Sequence, residues 1–193
     1  MATVTKLQQT LRSLQLGQIA AQDSGRERTV ALMCANTAWA YAVLDDEKCS
    51  LDSLARAHDA FACADADTAP WVWFFHEADL DALSGVVNAA LPSRSPRTYT
   101  AATEHLYRAV EARNPDMGRS QAFELTTLAT AHLRNGDPDQ GVHIGQQAVD
   151  LARRVRSVRV IDRLAPLQQA ALAYRPRGET ADLAADIATL RAS

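Results

Sequence analysis

Apolar positions recur at helical spacing through nearly the whole chain, and no stretch alternates convincingly as a strand would. The pattern is clearest from Phe123 to Val155. Leu125, Leu128, Ala129, His132 and Leu133 form an i, i+3, i+4, i+7, i+8 stripe. Asn135-Gly136-Asp137-Pro138 then ends one helix and starts another. Gly136 supplies a left-handed helix end, Asp137 a cap, and Pro138 a first-turn residue. The second helix presents Gly141, Gly145, Ala148, Ala152 and Val155 on one side, small residues that let backbones approach closely.

Looser versions of the same pattern fill the rest of the chain. A helix is predicted over 5–22, with Leu7, Leu11, Leu14 and Ile19 inward. Another over 27–44 is apolar almost all round, as expected of a helix with several neighbours. Ser50 is read as the cap of a third, running to Ala64, and Asp65–Pro70 as a linker. Trp71-Val72-Trp73-Phe74-Phe75 leads into a helix reaching Leu91. After the loop 92–96, Thr98 or Thr100 is expected to cap a helix to Arg113. Ser157 is expected to cap a helix to Tyr174, kinked over 162–165 by Pro166. After a turn at Arg175–Gly178, Thr180 opens the last helix, with Leu183, Ile187 and Leu190 inward.

The second helices share a small-xxx-bulky-or-small-xx-Ala element. Its copies are read at Ala57, Phe61, Ala64; at Ala102, Leu106, Ala109; at Gly141, Gly145, Ala148; and at Ala181, Ala185, Ala188. The expected fold is therefore all-α: about nine helices in a right-handed α-solenoid of stacked antiparallel pairs. One domain over 1–193 is expected, with hairpins near 27–65, 71–113, 119–155 and 157–192 behind the first helix.

That element resembles the second half of a tetratricopeptide repeat, and Leu125, Ala129, His132 and Gly136 match its first helix and turn. The segments 69–80 and 151–160 resemble the C-terminal helical-repeat part of large actinobacterial regulators that carry an XRE-type helix-turn-helix at their N-terminus. The resemblance covers roughly 28–190 and implies a regulatory interaction domain. No helix-turn-helix is found here, so direct nucleic-acid binding by this chain is not expected.

Composition narrows the chemistry. The chain is 47% hydrophobic but only 6% aromatic, which favours closely spaced helices, and its net charge of −3 gives no basic field for nucleic acid. No apolar run reaches ~18 residues and no signal peptide opens the chain, so a soluble cytoplasmic protein without a membrane contact is expected. Cys34, Cys49 and Cys63 lack zinc or disulfide spacing and read as buried or semi-buried thiols. His76 and Asp79 could meet at i, i+3 but make a poor metal site. No nucleophile constellation or phosphate loop is present. The reading is non-enzymatic, with no cofactor and no metal.

The expected partner is a protein or peptide, with self-association through uncapped ends as a further expectation. Asn36, Trp39, Tyr41, Trp73, His76, Asp79, Thr127, His132 and Arg134 come from first helices and are candidates for a concave lining. Arg153, Arg154, Arg156 and Arg159, with Arg163 beyond them, are candidates for contact with an acidic partner. A small-molecule-sensing domain with a pocket beside 71–75 is the alternative.

Overall fold

The computed structural model describes residues 2–64, 70–93, 95–174 and 178–192. The expected linker at Asp65–Pro70 and turn at Arg175–Gly178 lie mostly outside these residues, as does Arg94. Every regular element among the described residues is a helix, and none is a strand. In order these are α1 (Ala2–Asp23), α2 (Glu27–Val43), α3 (Glu47–Ala62), α4 (Glu77–Ala90), α5 (Pro96–Ala112), α6 (Gly118–Arg134), α7 (Pro138–Val155), α8 (Val158–Arg163), α9 (Ala165–Leu172) and α10 (Gly178–Ala192). The last-but-one expected helix is broken into α8 and α9 at Leu164, inside the stretch where Pro166 was expected to kink it. No helix among the described residues is long and apolar enough to cross a membrane.

The chain divides into two compact units, residues 1–101 and 102–193. In the first, α2 packs against α1, α3 and α4, which accounts for its apolar circumference. Alanines make the close contacts: Ala31, Ala35, Ala38 and Ala42 of α2, and Ala57 and Ala60 of α3, are all buried. Ser50 is not a cap. It is buried and its hydroxyl donates to the Ala38 carbonyl of α2 at 2.8 Å, while Asp46 caps α3 by accepting from the Cys49 N–H. On α1, Ile19 points outward and Gln18 and Ala21 are buried instead.

In the second unit α6 pairs with α7, and α8 to α10 pack against them. One core joins Leu106, Leu128, Leu133, Val149, Leu164, Leu167 and Ile187. The two glycines of α7 serve different neighbours. A Cβ on Gly141 would lie 2.6 Å from Leu133 Cγ and 3.1 Å from the Leu133 backbone nitrogen, so α6 and α7 touch through it. A Cβ on Gly145 would lie 2.7 Å from Leu183 Cδ2 of α10.

The fourth copy of the small-residue element is corrected by one position. Ala181, Ala185 and Ala188 are exposed, and α10 buries Thr180, Ala184 and Ile187. In that register the buried sets Ala102-Leu106-Ala109, Gly141-Gly145-Ala148 and Thr180-Ala184-Ile187 follow one another at a constant 39 positions. α5 also begins earlier than expected, at Pro96, and Ser95 rather than Thr98 or Thr100 caps it, accepting from the Thr98 N–H at 3.2 Å. Ser157 stands at the start of α8 but makes no capping hydrogen bond. α10 begins at Gly178, so Thr180 lies within its first turn.

Three interhelix turns share one geometry. Gly25, Asp45 and Gly136 adopt positive φ, at 64°, 61° and 89°. In each turn the following residue's N–H reaches back to a helix carbonyl: Arg26 to Ala21, Asp46 to Tyr41 and Asp137 to His132, each at 3.0 Å. The left-handed residue's own N–H bonds Gln22, Ala42 and Leu133 respectively. This is the Schellman arrangement. Here the residue that closes it is also the N-cap of the next helix, with ψ of 74°, 78° and 79°.

Candidate functional site

The residues proposed from sequence fall into different environments. In the first unit, residues 70–75 form turns ahead of α4, and their side chains divide sharply. Val72 and Phe75 are each 1% exposed and anchor the segment, with the Phe75 ring edge-on to Phe61 at 5.8 Å. Trp71, Trp73 and Phe74 are 60%, 66% and 50% exposed. These three are therefore surface aromatics, not the interhelix packing that is the default for such residues. Arg26 lies over the Trp71 ring at 4.7 Å.

His76 and Asp79 do meet, as the start of α4: the His76 N–H donates to Asp79 Oδ2 at 2.9 Å. Among the described residues no group of three His, Cys, Asp or Glu side chains could hold a metal ion. Asn36, Trp39 and Tyr41 are half-buried on α2. The Asn36 amide donates back to the Leu32 carbonyl, Trp39 packs against the cluster of Ala38, Ala42, Leu54, Val87 and Leu91, and Tyr41 accepts from the Gln15 amide at 3.0 Å. The thiols range from buried Cys34, whose pKa burial raises, through half-buried Cys49 to exposed Cys63. The exposure of Cys63 departs from the buried or semi-buried reading.

In the second unit Thr127 is half-buried and donates to the Phe123 carbonyl, while Arg134 is exposed. His132 is buried and sits between Tyr107, which spacing did not single out, and the helix cap Asp137. The Tyr107 hydroxyl and His132 Nε2 are 3.1 Å apart, and His132 Nδ1 lies 3.6 Å from Asp137 Oδ2. Burial lowers the His132 pKa, and the nearby Asp137 charge pulls the other way. Burial, with a smaller push from Asp137, raises the Tyr107 pKa. The arrangement therefore holds a neutral phenol against a neutral imidazole and ties α5, α6 and the turn before α7 together.

Of the arginine cluster, Arg153 bridges Asp150 at 3.2 Å and Asp186 at 3.5 Å. Arg163 lies over the Phe123 ring at 5.4 Å. Arg154, Arg156 and Arg159 are exposed. Arg156 ends α7 in the left-handed conformation, with φ of 49°.

Two open grooves of the second unit are lined by described residues. The larger, about 620 Å³, runs between the start of α6 and the last turn of α7 and includes Arg119 and Arg154. The smaller, about 300 Å³, lies between Pro138, Asp139 and Val142 of α7 and Gly178, Glu179 and Thr180 of α10. Neither gathers an acid, a base and a nucleophile. Arg119 was missed because it stands alone in sequence, far from the 153–159 cluster that faces the same groove through Arg154. Comparison with protein families, with curated proteins and with solved structures finds no match for this chain.

Proposed function

We propose that the chain is a non-enzymatic helical-repeat interaction domain that binds a protein or peptide partner. In this reading its helix pairs stack as a right-handed solenoid of tetratricopeptide-like hairpins, and it works in transcriptional regulation in the cytoplasm. The repeated turn at Gly25, Asp45 and Gly136 supports the repeat architecture, as does the 39-residue recurrence of buried small-residue sets in the second unit. The resemblance of segments 69–80 and 151–160 to regulator C-terminal parts supports the regulatory role.

The observation that carries a binding function is the outward display of Trp71, Trp73 and Phe74 on a segment held by buried Val72 and Phe75. Aromatics are the residue class that dominates recognition energetics, and a rigid support reduces the entropy lost on binding. The test is retention of a protein from cell extract by the full chain, compared with a chain carrying Ser at 71, 73 and 74. The reading expects a protein retained by the first and lost by the second. Equal retention by both, or retention by neither with the fold intact, counts against it.

A further inference from the structure

We propose that the groove between the start of α6 and the last turn of α7 is a docking site for an acidic peptide segment. This rests on the interaction-domain reading and gives it a partner chemistry. The groove's volume of about 620 Å³ falls within the ~300–1,000 Å³ typical of ligand sites.

Its two walls each bring one arginine, Arg119 from the first turn of α6 and Arg154 from the last turn of α7. Both are exposed, and among the described residues neither has a hydrogen-bond or ion-pair partner. Arg153, the next residue back, differs in being already bound to Asp150 and Asp186. Two uncommitted guanidiniums in one groove match a pair of carboxylates, because each presents a planar fork of donors. Asp116 is the one acid in the lining and leaves the balance positive.

The rest of the lining explains why the ligand is a peptide and not a free anion. Met117 before α6 and Leu151 and Val155 of α7 are the apolar part of the lining, Leu151 almost wholly buried. Gly118 brings the α6 backbone down to them: a Cβ there would lie 3.1 Å from Val155 Cγ2 and 3.4 Å from Leu151 Cδ1. A segment alternating acidic and apolar side chains meets both parts of this surface. A bare anion meets only the arginines.

The probe is a fluorescein-labelled peptide of alternating glutamate and leucine, titrated against the full chain by anisotropy. Its controls are the same peptide with glutamine for glutamate, and inorganic phosphate as competitor. Binding of the acidic peptide only, weakened roughly threefold by Arg119→Gln or Arg154→Gln and about tenfold by both, supports the proposal. Lys48→Gln, an exposed change on α3 of the first unit, should leave the affinity unchanged. Absence of binding, equal affinity in the double variant, or equal binding of the glutamine peptide overturns it. Full displacement by phosphate at concentrations where the peptide's leucines contribute nothing overturns the peptide assignment in favour of a simple anion site. Failure here with continued capture through Trp71, Trp73 and Phe74 would sink only the groove. Loss of that capture as well would sink the interaction-domain reading.

Discussion

The Arg113 guanidinium lies 2.7 Å from a Glu124 carboxylate oxygen, with both side chains only 4% exposed. Arg113 follows the end of α5 and Glu124 sits on α6, so the pair closes the connection between them. A buried ion pair contributes little over an apolar pair of the same volume, but breaking it leaves a charge stranded. Arg113→Met or Glu124→Leu alone should cost ~3–5 kcal/mol. The double variant should recover most of that loss. Urea denaturation of the three chains checks this, and additive losses in the double variant would contradict it.

Gly141 and Gly145 should respond differently to alanine. Each substitution gains ~1 kcal/mol of helix propensity. At 141 the new methyl meets the Leu133 backbone nitrogen at 3.1 Å as well as its side chain, and the helices must separate. Overpacking of that kind costs ~1–3 kcal/mol. At 145 the obstacle is the tip of Leu183, which can turn aside. Gly141→Ala is therefore expected to melt below the parent chain, and Gly145→Ala close to it. The reverse order in a thermal scan would refute the packing account.

Acid should destabilise the second unit through His132. Its folded pKa lies below the ordinary histidine value because burial disfavours the imidazolium, an effect that Asp137 only partly offsets. On acidification the unfolded chain takes up the proton first, near pH ~6.5. The stabilisation is thus present above the unfolded pKa and lost as pH falls through the folded one. Tyr107 and Asp137 are titratable groups in contact with the ring. Denaturation midpoints measured from pH 7.5 downward should fall less steeply for His132→Gln than for the parent, and parallel curves would remove His132 as the cause.

Arg26 occupies the same turn position as Asp46 and Asp137, yet its side chain makes no capping bond. Asp46 and Asp137 accept from the N–H three residues on, at 3.0 and 3.2 Å. Arg26→Asp should therefore be about 1 kcal/mol more stable than Arg26→Ala, both having lost the Trp71 contact. Equal unfolding midpoints for the two would mean that the shared backbone geometry does not extend to the cap.

Local signals made much of this fold readable. Gly136, Asp137 and Pro138 each do what their backbone chemistry suggests, and Pro166 breaks its helix at Leu164. The last helix was harder because alanine gives little contrast between faces. Ala181, Ala185 and Ala188 looked like a repeat, while the buried Thr180 one step earlier looked like a cap. Ser50 was misjudged for a related reason: a hydroxyl beside a helix start serves equally as a cap or as a buried donor to a neighbouring helix. The candidate sites were less legible. Strand-like alternation is absent at 71–75, so nothing in the segment foretold that Val72 and Phe75 would go in and Trp71, Trp73 and Phe74 out. Tyr107 and His132, 25 positions apart, meet only once α5 and α6 are packed.

Each turn at Gly25, Asp45 and Gly136 passes from one helix's last bond to the next helix's cap with no spare residue. An amino acid inserted there has no slack in which to bulge. It would advance the next helix by one position, about 100° around its axis, turning its apolar side away from its neighbours. Evolutionary change in length should therefore avoid these three corners, and the angle between paired helices becomes an inherited dimension of the protein.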